Sequence, residues 1–141
     1  MISDELRTII DRLNVQGKMA FLDGATEEQI AEFEKEHEIE FPAQYKEWLM
    51  FSDGGEFFLP AGIQLYGVAH KPLIDVDDDE RPNDEYIVIG ALSNGDPILF
   101  EKGHESISIY NLDAERIEED ESFAGFFAFL NELYDLLGIE E

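Results

Sequence analysis

The stretch Phe41-Pro42-Ala43-Gln44-Tyr45-Lys46-Glu47-Trp48-Leu49-Met50-Phe51-Ser52-Asp53-Gly54-Gly55 constrains the fold more than any other, because it both opens and closes a helix. Proline at a first helical position loses no hydrogen bond, since the first N–H groups of a helix have no partner within it. Tyr45, Trp48 and Leu49 recur at helical spacing and share one face. The paired Gly54 and Gly55 supply the positive φ that ends the helix. Trp48 and Tyr45 are expected to be structural first, because burial in a core is a commoner fate for such side chains than exposure at an interface.

Three more helices follow from periodicity and caps. The first is predicted over residues 4–13, with Ser3 as N-cap and Leu6, Ile9, Ile10 and Leu13 as its apolar stripe. The second starts at Thr26, where Thr26-Glu27-Glu28-Gln29 matches a capping box; it turns Ile30 and Phe33 inward and its glutamates to water. The last spans 122–137 with Phe123, Phe126, Phe127, Leu130, Leu133, Tyr134 and Leu137 on one stripe, and stops at Gly138. The acidic run 115–121 before it would then place negative charge near the positive end of that helix dipole.

Between the third and last helices the pattern is that of strands. Residues 63–66 alternate, and 86–92 are β-rich throughout, as a strand covered on both faces would be. Asn94-Gly95 is the pair that two-residue hairpin turns prefer, and it leads into 97–101. A second turn at 102–105 precedes 106–110, where Ile107 and Ile109 alternate onto a buried face. Pro97 has no N–H for a ladder, so it belongs at the start of its strand or turned away from a partner. Helices at the ends and strands in the middle predict a single α+β domain over 1–141, an antiparallel meander with N-terminal helices and a C-terminal helix packed on it.

The ordered set carries a family likeness. The pattern F/L-P-x-x-Y-x-x-x-L-x-x-x-D/N-G-G, followed by the strand-like segments 62–68 and 89–100 and the Phe-rich 122–130, resembles the SMI1/KNR4 (SUKH) superfamily. Many bacterial members of that superfamily are toxin-neutralising immunity proteins. The resemblance carries over Phe41, Pro42, Tyr45, Leu49, Asp53, Gly54 and Gly55 as fold determinants, with Trp48 beside them. It carries over no binding residues, because different members recognise different toxins.

Composition bounds the chemistry. With no cysteine there can be no disulfide, thiolate metal site or cysteine nucleophile, which fits a reducing cytoplasm. No signal-peptide pattern opens the chain and no apolar run reaches membrane-span length. Against 34 Asp and Glu stand 9 Lys and Arg, a formal net charge of −25. So few cations cannot neutralise a run of phosphates, which argues against nucleic acid as a partner. Such a field draws in a basic protein, the surface that nucleases and nucleic-acid-modifying toxins present; alternatively it serves only solubility or a salt-rich cell.

Motifs for catalysis fail in detail. Counted from Asp75 as an EF-hand loop, the acidic stretch has Glu80 where glycine is needed and Tyr86 where a bidentate glutamate is needed. Asp75, Asp77, Asp78, Asp79 and Glu80 therefore read as a solvated acidic loop and a candidate contact for lysine and arginine of a partner. His37, His70 and His104 show no metal-ligand spacing, and no nucleophile elbow, phosphate loop or dinucleotide fingerprint is present. Glu101 and Lys102 are adjacent, so on a strand they face opposite sides and cannot converge on one metal.

The expectation is a non-catalytic protein without cofactor or metal that sequesters a cognate, basic toxin domain. A second reading is a scaffold or regulatory module that binds cellular proteins. The third is a carboxylate-based hydrolase, for which so many acidic residues single out no pair.

Overall fold

The structure, a computed structural model, describes residues 3–16, 19–57, 63–69, 73–74, 81, 85–92 and 95–132. Among them the order is α1 (Asp4–Gln16), α2 (Glu27–His37), α3 (Ala43–Phe51), β1 (Gly55–Phe57), β2 (Ile63–Leu65), β3 (Tyr86–Ala91), β4 (Pro97–Glu101), β5 (Ile107–Asn111), β6 (Arg116–Phe123) and α4 (Phe126–Asn131). The six strands lie in chain order and each pairs antiparallel with the next, so the fold is α+β around a meander.

Local sequence explains most of these elements. Ser3 Oγ accepts the Leu6 N–H and donates to Glu47, so the cap that starts α1 also ties it to α3. Leu6, Ile9, Ile10 and Leu13 are buried along α1. The capping box of α2 is complete: Thr26 Oγ1 accepts from Gln29 N, and Gln29 Oε1 accepts from Thr26 N. On β3, Ile87 and Ile89 join the core while Val88, pointing the other way, is buried too, so the strand is covered on both faces. Pro97 opens β4, where its missing N–H costs least, and Gly95 at φ 95° turns the preceding hairpin.

The core lies between helices and sheet. Phe41 meets Phe100 of β4 at 5.9 Å, and Tyr45 meets Phe126 edge-on at 4.8 Å. Trp48 sits among Phe21, Phe51, Phe57 and Phe126. Those that are fully buried, Phe41, Tyr45, Trp48, Phe57, Phe100 and Phe126, each contribute roughly 1.5–3 kcal/mol through the apolar surface withdrawn from water.

Two expectations change. The acidic run before the last helix enters β6 at Arg116 rather than forming a helix approach: Arg116, Ile117, Ser122 and Phe123 pair with Asn111, Tyr110, Ser108 and Ile107. β5 offers an edge of unpaired backbone groups, and satisfying them outweighs the helical preference of glutamate. Helix α4 therefore begins at Phe126 rather than Ser122, after an extended Gly125, and residues 133–137 of the expected helix lie outside the described residues. The second change is at the signature. Pro42 is the N-cap of α3, and the helix is closed by extended Ser52, not by a left-handed glycine. Gly54 and Gly55 do adopt positive φ, 100° and 125°, but they use it to turn the chain into β1.

Candidate functional site

All eight signature residues, Phe41, Pro42, Tyr45, Trp48, Leu49, Asp53, Gly54 and Gly55, are buried. Their polar atoms are directed at backbone. Tyr45 Oη donates to the Tyr66 carbonyl at 2.6 Å, and Trp48 Nε1 donates to the Gly54 carbonyl at 3.0 Å. The Asp53 carboxylate accepts the Val68 N–H on Oδ1 and the Ala69 N–H on Oδ2, both at 2.7 Å. Charge-assisted bonds of this kind offset the cost of burying a carboxylate. Burial, together with the nearby Asp53 charge and Tyr66, raises the Tyr45 phenol well above its ordinary range. The arrangement holds the segment after β2 against α3 and presents nothing to a partner.

What faces water is charge. On α2 and just beyond it, Glu27, Glu28, Glu32, Glu36, Glu38 and Glu40 are exposed, with Lys35 as the exposed cation among them. Other carboxylates are occupied within the fold: Glu105 accepts the Ala43 N–H at the start of α3, and Glu34 accepts the Phe41 N–H at 2.8 Å. The anticipated contact stretch Asp75, Asp77, Asp78, Asp79 and Glu80 lies outside the described residues, as does His70. The His37 ring lies tilted against Phe33 with centroids 4.3 Å apart, and His104 lies 3.6 Å from Glu101 on the surface. No three His, Asp or Glu side chains among the described residues are grouped to hold a metal ion. No helix among them is long and apolar enough to cross a membrane.

One surface feature escaped the sequence reading. Helices α2 and α3 run antiparallel, pinned at one end by the Ala25 N–H on the Leu49 carbonyl and at the other by Glu34 on Phe41 N–H and on Lys46. Between them lies a groove of about 430 Å³, lined on α2 by Glu27, Ile30, Ala31 and Glu34 and on α3 by Ala43, Lys46, Glu47 and Met50. Each set follows the i, i+3, i+4, i+7 spacing of a single helix face. The signal was two such stripes carrying alanine at a central or leading position, which an inspection for large apolar residues passes over.

No curated protein matches the chain at a significant level. A family model does, over most of its length, and the match covers the capping box of α2, the signature helix, the whole meander and α4. The chain belongs to the SMI1/KNR4 family (SUKH-1), whose model matches residues 24–132.

Proposed function

We propose that this protein is a non-catalytic immunity protein, acting in the cytoplasm, that neutralises a cognate toxin by binding it directly. Family membership carries the reading, because SUKH domains of the immunity type act by occupying a toxin rather than by chemistry. The exposed glutamates of α2 and the net charge of −25 support a basic target such as a nuclease-type or nucleic-acid-modifying domain. Such fields raise the rate of encounter and disfavour acidic partners.

The test is co-expression with the product of the gene adjacent to the one for this chain, assayed as a toxin. Restored growth and a stoichiometric complex by size-exclusion chromatography are the expected results. Growth arrest that persists despite well-folded, abundant protein would overturn the immunity reading, and capture of cellular proteins in its place would support the interaction-module alternative. Turnover dependent on one Asp or Glu would revive the hydrolase.

A further inference from the structure

We propose that the groove between α2 and α3 is the docking site for a basic amphipathic segment of the protein partner; this rests on the reading of the chain as a protein-binding module. An apolar side chain of that segment seats on Ile30, Ala31 and Met50, and its flanking lysine or arginine side chains meet the carboxylates of Glu27 and Glu47.

The groove exists because two small residues leave it unfilled. Ala31 and Ala43 are both exposed, on facing helices held antiparallel at both ends. Larger side chains there would close the gap against each other, as helix pairs ordinarily do. Gly24 brings the chain onto the end of α3: a Cβ built on it would stand 1.9 Å from the Met50 carbonyl oxygen. The volume of about 430 Å³ accommodates a large side chain and its neighbours.

Charge selects the occupant. The rim carries three glutamates and one lysine, and Lys46 is already within 3.6 Å of Glu34 and 3.9 Å of Glu40. An anionic metabolite would find no available cation on this rim. Glu47 is held in place by the Ser3 N–H and hydroxyl at 3.0 and 2.9 Å, so its orientation is set before any partner arrives. The exposed Glu28 and Glu32 extend the negative field along the outer face of α2. An apolar floor between acidic walls is the complement of a helix or turn with leucine-like anchors among lysines.

Titration of the isotope-labelled protein with a synthetic amphipathic peptide of leucine and lysine tests this directly. Amide shifts should concentrate at Ile30, Ala31, Ala43 and Met50, and an oligolysine of equal charge should bind more weakly. Ala31→Arg, at an exposed position, should lower peptide affinity by about tenfold, and Ala43→Arg on the facing helix should do the same with the melting temperature of each variant unchanged. Shifts spread evenly over the acidic surface, or variants that bind the peptide as well as the parent, would overturn the groove. The two readings separate cleanly. Toxin neutralised equally well by parent and both variants keeps the immunity function and removes the groove, whereas peptide bound in the groove without any toxin neutralised does the reverse.

Discussion

The carboxylate of Asp53 stands where a side chain on residue 67 would have to go: a Cβ built on Gly67 would lie 2.6 Å from Asp53 Cγ and 2.4 Å from the Asp53 carbonyl oxygen. The glycine is therefore the condition for the two bonds that Asp53 makes to the following N–H groups of Val68 and Ala69. Gly67→Ala should cost about 1–3 kcal/mol through overpacking. Asp53→Asn should cost a comparable amount, because its amide can accept at only one of those N–H groups and turns a donor on the other; urea unfolding of both variants reads the effect, about 1–3 kcal/mol for the unpaired group.

Alkaline pH should act through Tyr45. Its phenol is held protonated in the folded state by burial, with Asp53 and Tyr66 adding to the effect, whereas in the unfolded chain it ionises near pH 10. The native state then binds the proton more tightly, so the stabilisation is complete below about pH 10 and is lost progressively as pH rises above it. Tyr45→Phe should cost about 1 kcal/mol at neutral pH by removing the bond to Tyr66. Above pH ~10 the stability of the variant should fall less steeply than that of the parent, a difference that paired denaturation curves would show.

At Gly54 the chain combines a φ of 100° with crowding, since an added Cβ would lie 2.7 Å from the Leu65 carbonyl oxygen. Gly54→Val should destabilise by more than about 2 kcal/mol, combining left-handed backbone strain with the clash. A variant with an unchanged unfolding midpoint would contradict the turn described for this position.

Gln44 should matter to α4 more than to its own helix. Its Oε1 accepts the Phe127 N–H at 2.9 Å, acting as an N-cap supplied by a distant segment, and Gly125 leaves room for it. Gln44→Ala should cost about 1 kcal/mol, and hydrogen exchange should quicken at Phe127 ahead of α3.

Association kinetics separate the two acidic segments. Replacing Asp77, Asp78, Asp79 and Glu80 by Asn or Gln should slow partner capture and flatten its salt dependence, with stability changed by less than about 0.5 kcal/mol. The same measurement with Glu28, Glu32 and Glu36 changed to Gln shows which carboxylates steer the encounter. An association rate unmoved by the first set would remove that stretch as a contact.

Much of the fold was legible because its signals are local. A capping box can be read from Thr26 and Gln29 alone, a hairpin from Asn94 and Gly95, and a buried strand face from Ile107 and Ile109. The run 115–121 was misread for the converse reason. It reads as charge placed ahead of a helix starting at Ser122, whereas its residues from Arg116 on pair with β5, which supplies hydrogen-bond partners that no pattern within the run announces.

The sequence by itself determined the α+β order, the apolar stripes of the helices and the acidity of the surface, since each depends on residue types at short spacings. Only the tertiary structure decided what the polar signature residues bond to, that Gln44 caps a helix far along the chain, and that α2 and α3 part into a groove. Those relationships join segments distant in sequence. They arise from which backbone groups are left unpaired once the core has closed, and from where small side chains line the seam between two helices, and neither is written in any local pattern.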